Sequence, residues 1–225
     1  MKKVLIGLSG GLDSTTLLGL LLEQGCEVHC CIFTYGSKHN AYENEAALNI
    51  LEYYYNKGCT VSSTSFNLEE VFKPFKSNLL LSGEDIPTGH YQDDNMKQTV
   101  VPGRNLIFAS IMAGLAETIE ANTIALGVHA GDHLIYPDCR PEFIKALDSV
   151  IYLSSDKKVE VLTPLLNLDK TEILQKGYNL KIPVPYQYTR TCYTSNNLAC
   201  GKCGSCNERL EAFNNLNLND PISYE

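Results

Sequence analysis

The sequence predicts an α/β fold whose core is a doubly wound, five-stranded parallel sheet. Short apolar runs, typical of strands buried on both faces, alternate with longer segments in which apolar residues recur at helical spacing. Glycine or polar residues follow most of these segments and mark their ends. This strand–helix–strand order is typical of parallel strands joined by right-handed crossovers.

Five apolar segments are the predicted strands of a Rossmann-like sheet. The first is a continuous apolar run close to the N-terminus, and the second and third each follow a predicted helix. The predicted strands cover residues 3–8, 27–33, 59–66, 123–128 and 159–162.

The predicted helices lie between and after these strands, and several carry a start or stop signal. Gly25 ends the first helix, Pro141 suits the first position of the fourth, and Asp169 caps the fifth. The predicted helices cover residues 13–25, 40–56, 104–119, 141–150 and 169–176.

Two polar loops are candidates for function. Residues 82–103 are rich in Gly, Pro, Asp and Asn, and the segment is too long for a plain connection. Residues 130–140 leave the carboxyl end of the fourth predicted strand. Ligands of open parallel sheets bind at that edge, so we expect this second loop to face a ligand. Loops as long as residues 82–103 are commonly functional.

Composition and charge favour a soluble protein that acts on a small molecule. The chain has 225 residues, of which 44% are hydrophobic and 20% charged, and its net charge is −8. No Lys/Arg cluster offers a nucleic-acid surface, so no nucleic-acid partner is expected. No apolar run approaches the roughly 20 residues of a membrane helix, and the N-terminal apolar stretch is too short for a signal peptide. We expect a cytoplasmic protein.

The glycine loop after the first strand predicts a phosphate site. Residues 9–14 read Ser-Gly-Gly-Leu-Asp-Ser, so two glycines bring backbone amides to the start of a helix, where the helix dipole favours an anion. Asp13 suits such a site if it binds Mg²⁺. The pattern is neither the common P-loop nor a dinucleotide fingerprint. The predicted ATP-binding residues are Leu8, Ser9, Gly10, Gly11, Leu12, Asp13, Ser14, Thr15, Thr16, Leu17 and Leu18.

Four of the nine cysteines predict a metal site. Cys192, Cys200, Cys203 and Cys206 lie within 15 residues, and four thiolates form the closed tetrahedral shell that structural Zn²⁺ prefers. The spacing is also compatible with an iron–sulfur cluster or with free thiols. The other cysteines are interpreted as small buried hydrophobic residues: Cys26, Cys30, Cys31, Cys59 and Cys139.

The cysteines also suggest how the chain is divided. Residues 1–182 form the predicted nucleotide-binding α/β domain, and from Pro183 the pattern becomes irregular. Residues 183–225 are the predicted Cys₄ zinc-binding segment, packed on that domain.

Several segments resemble a known family. The glycine loop resembles the PP-loop of the ATP pyrophosphatase superfamily, and further segments resemble the 7-cyano-7-deazaguanine synthase family. These matching segments are residues 33–39, 89–91, 96–105, 127–143, 191–193 and 200–213. Two departures are visible: Arg190 stands where the family often has Trp, and residues 151–158 are short.

The resemblance implies an enzyme that converts 7-carboxy-7-deazaguanine and ammonia to the nitrile. It implies that ATP activates the acid and then the amide by adenylation, with Mg²⁺ as the nucleotide's cation and one structural Zn²⁺. It also implies a ligase of queuosine biosynthesis that forms C–N bonds and works as a homodimer.

Site roles are expected mainly on the loops at the carboxyl edge of the sheet. Asp138 or Glu142 is expected to pair with the amidine edge of the base, and Arg104 or Arg140 to neutralise its carboxylate or the α-phosphate. The predicted catalytic residues are Asp13, Arg104, Asp132, Asp138 and Arg140. The predicted substrate-binding residues are Tyr35, His39, Asn105, His129, His133 and Glu142, of which the two loop histidines could carry protons.

Three alternatives remain open from the sequence. The same activation could stop at the amide or join the base to a protein amine. A tRNA thiolase or lysidine synthetase would use the same loop, although the acidic chain offers no basic surface. A catalytically inactive nucleotide-binding module is disfavoured because the glycine loop is intact.

Overall fold

A single parallel sheet forms the centre of the computed structural model, which describes all residues 1–225. The strands are β1 (Lys3–Gly7), β2 (Glu27–Thr34), β3 (Val61–Asn67), β4 (Thr123–Ala125) and β5 (Glu160–Leu162). Their order is β3-β2-β1-β4-β5, and every neighbouring pair is parallel. The predicted α/β fold class with five strands is confirmed.

Helices cover both faces of this sheet. They are α1 (Leu12–Glu23), α2 (Asn40–Asn56), α3 (Glu69–Phe72), α4 (Arg104–Thr118), α5 (Pro141–Ser154), α6 (Lys170–Tyr178) and α7 (Gly204–Asn215). Side chains of α1, α2, α6 and α7 share one hydrophobic core with the sheet, and α4 and α5 share the other. The sheet is therefore doubly wound.

The position of β1 at the centre of the sheet explains why its sequence is apolar at every interior position. Val4 and Ile6 of β1 point into the core under α1, whereas Leu5 points into the core under α4. Successive side chains of a strand point to opposite faces, so a strand covered on both sides needs apolar residues throughout.

The strand order also determines where a ligand can bind. The chain leaves β1 towards β2 and β3, then crosses the sheet to β4 and β5. The connections therefore diverge at the carboxyl ends of β1 and β4, which is the crevice where open parallel sheets bind ligands. The glycine loop and the polar loop after β4 both open there.

Several boundaries differ from the predicted ones for physical reasons. The fourth strand ends at Ala125, although Leu126 N still donates to Leu162 O, and Gly127 then lies against the backbone of Ser14. The fourth long helix continues to Ser154, since Leu147 and Ile151 keep its buried face in register. The long polar loop contains a 3₁₀ turn at Asp94–Thr99.

The C-terminal segment is more regular than the sequence suggested. Helix α7 starts among the cysteines, and its Ala212 and Phe213 belong to the same core as α1 and α6. The division at residues 182 and 183 stays a prediction. No helix combines the length and hydrophobicity needed to cross a membrane.

Candidate active site

A large cavity lies at the carboxyl edge of the sheet. The glycine loop forms one side, the ends of β2 and α2 form another, and α4, the loop after β4 and the C-terminal segment complete it. Of the predicted site residues, it is lined by Leu8, Ser9, Gly11, Asp13, Ser14, Tyr35, Arg104, Asn105, His39, His129 and Asp132.

The glycine loop places backbone amides at the start of α1. Gly11 is the N-cap residue and no side chain caps the helix, so its first amides have no side-chain partner. The Ser9 and Ser14 hydroxyls lie 3.1 Å apart at the same place, and Ser9 N donates to Ser14 Oγ over 3.3 Å. Backbone amides, two hydroxyls and a helix N-terminus together suit a phosphate.

The remaining residues of the predicted ATP loop support this turn from behind. Thr15 Oγ1 donates to Gly11 O over 2.6 Å, and Thr16 Oγ1 lies 2.9 Å from Tyr186 Oη. Leu12, Leu17 and Leu18 are fully buried in the hydrophobic core. These side chains place the helix rather than line the cavity.

Gly10 requires glycine for two separate reasons. Its φ is +75°, and a Cβ there would lie 2.7 Å from Ala46 Cβ and 2.7 Å from Glu43 O. We expect Gly10→Ala to weaken ATP binding by about tenfold or more, because relieving these close contacts displaces the phosphate-binding loop from α2. Isothermal titration with ATP measures the effect.

Gly25 offers the matched control for that substitution. Its φ is +76°, but nothing lies within 4 Å of its would-be Cβ. We expect Gly25→Ala to lower the melting temperature slightly and to leave ATP affinity unchanged. Equal losses of ATP affinity in both variants would contradict the close-packing argument.

A buried lysine is at the centre of the polar wall. Lys170 Nζ lies 2.6 Å from Asp13 Oδ2, 3.2 Å from Glu208 Oε2 and 3.1 Å from His129 Nε2. Only 6% of the Lys170 side chain is exposed. Two carboxylates and an imidazole from separate parts of the chain thus converge on one ammonium, beside the glycine loop.

This cluster changes the acidity of its members. Burial raises the pKa of Asp13, but Lys170 and His129 outweigh burial and hold it below its usual 3.8. The ion pair therefore stabilises the fold at neutral pH, and this contribution is lost as the pH falls through that lowered pKa. Burial raises the pKa of Glu208, and Lys170 offsets this only in part.

The sequence did not reveal Lys170, although a signal was present. Lys170 is the first residue of α6, where a cation opposes the helix dipole. The predicted Asp169 cap is confirmed and forms a capping box, with Asp169 Oδ1 accepting from Glu172 N and Glu172 Oε2 from Asp169 N. This box holds the helix start, and with it Lys170, towards the cavity.

The opposite wall is aromatic and carries one arginine. Phe33 and Phe108 stack with ring centroids 4.1 Å apart. Arg104 Nη1 donates to Tyr35 Oη over 3.1 Å. Burial would lower the pKa of Arg104, but Tyr35, Tyr136, Asp138 and Glu43 raise it, so the guanidinium stays charged.

Asp132 lies between Tyr91 and His129 in the cavity wall. Tyr91 Oη donates to Asp132 Oδ1 over 2.7 Å, and His129 Nε2 lies 3.5 Å from the same oxygen. Tyr91 was not predicted as a site residue. Burial, with Asp132 next in importance, raises its pKa well above 10.0, so it remains a hydrogen-bond donor.

Four of the predicted catalytic and substrate-binding residues lie outside the cavity lining: His133, Asp138, Arg140 and Glu142. Asp138 Oδ2 accepts from Asn105 N over 3.0 Å and so holds the start of α4. Arg140 Nε donates to His133 O over 2.9 Å within the loop. Glu142 is exposed on α5. These residues shape the loop behind Arg104, and we assign them no contact with a ligand.

The four predicted metal ligands are brought together. All four cysteines are buried, and their sulfurs lie within 4.8 Å of one another. Tetrahedral Zn–S bonds of about 2.3 Å require S···S separations of about 3.8 Å. Cys200 N donates to Cys192 Sγ and Cys203 N to Cys200 Sγ, each over 3.3 Å, as expected around thiolates. The cluster has the composition and spacing of a closed metal site.

The cysteine segment also contributes to the cavity. Arg190 N donates to Gly10 O over 2.8 Å, and Ser205 Oγ donates to Thr191 O over 3.0 Å. Arg190, Thr191, Tyr193, Ser205 and Glu208 line the cavity. Residues next to the thiolates therefore touch both the glycine loop and the space a ligand would fill.

The chain is similar in sequence to several known proteins. A family model described as queuosine biosynthesis protein QueC matches residues 3–217. The chain is 43% identical over 225 residues to 7-cyano-7-deazaguanine synthase 2 of Colwellia psychrerythraea strain 34H, covering 100% of this chain and 99% of that protein. It is 40% identical over 228 residues to 7-cyano-7-deazaguanine synthase of Pseudoalteromonas atlantica strain T6c, covering 100% of both.

A solved structure supports the fold alone. The crystal structure of a 4-thiouridine synthetase–RNA complex with bound ATP is similar with a TM-score of 0.53 and 21% identity. The match covers 93% of this chain and 50% of that one, so this chain corresponds to half of the synthetase.

Proposed function

The chain belongs to the QueC family of queuosine biosynthesis proteins, and on this premise we propose that it converts 7-carboxy-7-deazaguanine and ammonia to 7-cyano-7-deazaguanine at the expense of ATP. One observation carries the proposal: a single cavity joins the glycine loop, the Lys170 cluster and the Arg104 wall. The phosphates of ATP and a deazapurine that carries a carboxylate can therefore bind in the same cavity.

The chemistry needs two activations. A carboxylate is a poor electrophile, so transfer of AMP to its oxygen, with release of pyrophosphate, creates a leaving group. Ammonia displaces AMP and gives the amide. A second ATP adenylates the amide oxygen, and loss of AMP and of the remaining N–H protons yields the nitrile. Forming a C–N bond with ATP makes the enzyme a ligase.

The chain's own residues suit these steps. The glycine loop and Lys170 would hold the phosphates and the released pyrophosphate. Arg104 would orient the substrate carboxylate. Asp132 and His129, 3.5 Å apart, would accept the protons that ammonia and the amide lose.

The Asp13 carboxylate is suited to bind Mg²⁺. Lys170 holds Asp13 Oδ2, whereas Asp13 Oδ1 is buried and has no protein partner. An oxygen in that position fits Mg²⁺, which usually binds through one or two carboxylates together with substrate phosphates. Such an ion would neutralise phosphate charge when bound.

We also propose that the four cysteines hold one structural Zn²⁺. Their closed sulfur shell leaves no position for substrate, which favours a structural role. Thiolates persist in a reducing compartment such as the cytoplasm. A homodimer is consistent with the apolar outer surface of α4 and α5, where Leu106, Val150 and Leu153 are 44%, 59% and 77% exposed.

The decisive experiment is incubation of the holoenzyme with 7-carboxy-7-deazaguanine, ATP, Mg²⁺ and ammonium. We expect mass spectrometry to detect the nitrile, and nucleotide analysis to find two AMP and two pyrophosphate for each nitrile. Accumulation of the amide alone would identify an amide synthetase. The proposal fails if the base is unchanged and no ATP is consumed.

A further inference from the structure

Glu43 is a carboxylate of the cavity wall that takes no part in the Lys170 cluster. Four carboxylates line the cavity, those of Asp13, Glu43, Asp132 and Glu208. Asp13 and Glu208 pair with Lys170, and Asp132 accepts from Tyr91. The one ion-pair contact of the Glu43 side chain is with His39 Nε2 at 3.4 Å, and the side chain is only 17% exposed.

Two polar atoms at the start of α2, close in sequence to Glu43, lack a hydrogen-bond partner. His39 Nδ1 and Asn44 Oδ1 are buried and make no hydrogen bond within the protein, although both residues line the cavity. Buried polar groups without partners cost free energy, so such a set points to a ligand that supplies the partners. His39 is 3% exposed, whereas Glu43 and Asn44 are partly exposed.

Glu43 and Arg104 act on the same phenol from this wall. Burial raises the pKa of Tyr35, Arg104 lowers it and Glu43 raises it. Arg104 donates directly to Tyr35 Oη. The cavity wall therefore presents the Glu43 carboxylate as an acceptor and, in contact with Tyr35, the Arg104 guanidinium as a donor.

Those two charges have the chemistry that the edge of the proposed substrate requires. Along the edge of 7-carboxy-7-deazaguanine, the donors of the 2-amino group and N1–H come first, followed by the acceptors O6 and the C7 carboxylate. We propose that Glu43 accepts hydrogen bonds from the 2-amino group and N1–H, while Arg104 donates to O6 and the carboxylate. Glu43 is then the residue that selects a 2-amino base.

This inference rests on the proposed function for the identity of the base. It also replaces the earlier expectation for Asp138 and Glu142. Asp138 is engaged with Asn105 at the start of α4, and Glu142 is exposed outside the cavity. The hydrogen bonds from two N–H donors to one carboxylate are strong and directional.

Equilibrium binding tests the assignment without requiring turnover. The probes are 7-carboxy-7-deazaguanine and its analogue without the 2-amino group, titrated into wild type, Glu43→Gln and Glu45→Gln. Glu45 is exposed on the same helix and does not line the cavity, so its substitution controls for charge. Melting temperature and zinc content establish that the variants are folded.

We expect wild type and Glu45→Gln to prefer the 2-amino base by about 100-fold, because a site that hydrogen-bonds a group rejects the analogue lacking it. In Glu43→Gln we expect the preference to fall below about threefold, since glutamine offers one acceptor where two are needed. The affinity for ATP should not change.

Two results would overturn the inference. The first is a Glu43→Gln enzyme that keeps the wild-type preference. The second is a variant that loses affinity for ATP while keeping that preference, which would assign Glu43 to the ribose hydroxyls. A wild type that binds the 2-amino base selectively but makes no nitrile would contradict the proposed function and leave this inference standing.

Discussion

Replacing Lys170 with methionine is expected to lower kcat/KM by about 1000-fold or more and to destabilise the fold by about 3–5 kcal/mol. The side chain is 6% exposed and pairs with two carboxylates. Removing one partner of a buried ion pair leaves an uncompensated charge, which is far more costly than the pair itself is stabilising. Loss of a charged donor at reacting phosphates commonly costs 100–1000-fold by itself, or roughly 3–4 kcal/mol.

A second substitution separates the two effects. In Lys170→Met/Asp13→Asn the unpaired carboxylate of Asp13 is removed, so we expect the free energy of unfolding to recover by about 1–3 kcal/mol. Turnover should not recover, because the phosphates lack the Lys170 ammonium and the proposed magnesium ligand Asp13 is also lost. Chemical denaturation and steady-state kinetics provide the two readouts.

The matched control is Lys176→Met, which removes a lysine from an exposed position on the same helix. It should change stability by less than about 0.5 kcal/mol and leave kinetics unaltered. If Lys170→Met alone keeps near-wild-type turnover, the lysine is structural and its role at the phosphates is wrong.

The sequence predicted those parts of the site that lie within short stretches of chain. The glycine loop could be recognised because strand, glycines and helix start are contiguous, and the four cysteines because they lie within 15 residues. The sheet was equally predictable, since Val4, Leu5 and Ile6 are apolar on both faces of a central strand.

The Lys170 cluster could not be predicted in this way. Asp13, His129, Lys170 and Glu208 come from four separate elements and meet only when α6 and α7 pack beside α1. Asp13 and His129 were predicted as site residues, but Lys170 and Glu208 taken singly resemble ordinary charged residues of a helix. Only the unfavourable position of Lys170 at a helix N-terminus was a local signal.

The polar loop after β4 illustrates the opposite difficulty. Residues 130–140 contain several charged groups, and the sequence does not indicate which of them turn inward. In the structure a 3₁₀ turn at Ala130–Leu134 directs Asp132 to Tyr91, while Asp138 turns back to Asn105. Alternation rules apply to strands and helices, and no such rule orients side chains in an irregular loop.

Replacing Cys200 with serine is expected to remove the metal and reduce turnover by more than about 100-fold. Structural zinc sites contribute on the order of 10 kcal/mol of binding free energy to folding. The loss should spread to the C-terminus, since Ala199 pairs with Tyr224 and Glu225 N donates to Ala199 O. Plasma emission spectrometry should find one zinc per wild-type chain and less than about a tenth in the variant.

The matched control is Cys59→Ser, which changes a cysteine that lies outside the cluster and is partly exposed. It should retain zinc and full turnover. An iron-containing wild-type protein would contradict the zinc assignment, and full activity of a metal-free Cys200→Ser enzyme would contradict the structural role of the site.

The reason for the loss of activity lies in how the cysteine segment reaches the glycine loop. Arg209 is fully buried and donates to Asp220, to Thr189 Oγ1 and to Tyr186 O, so it ties α7 to the segment that ends in Arg190. Arg190 N in turn donates to Gly10 O.

Hydrogen exchange can follow this connection residue by residue. In metal-free protein we expect faster exchange in residues 186–225 and in the glycine loop, whereas β1 and β2 stay protected by both hydrophobic cores. That pattern would support a distinct C-terminal segment beginning near residue 183. Uniformly faster exchange would instead indicate one cooperative unit, in which the metal stabilises the whole sheet.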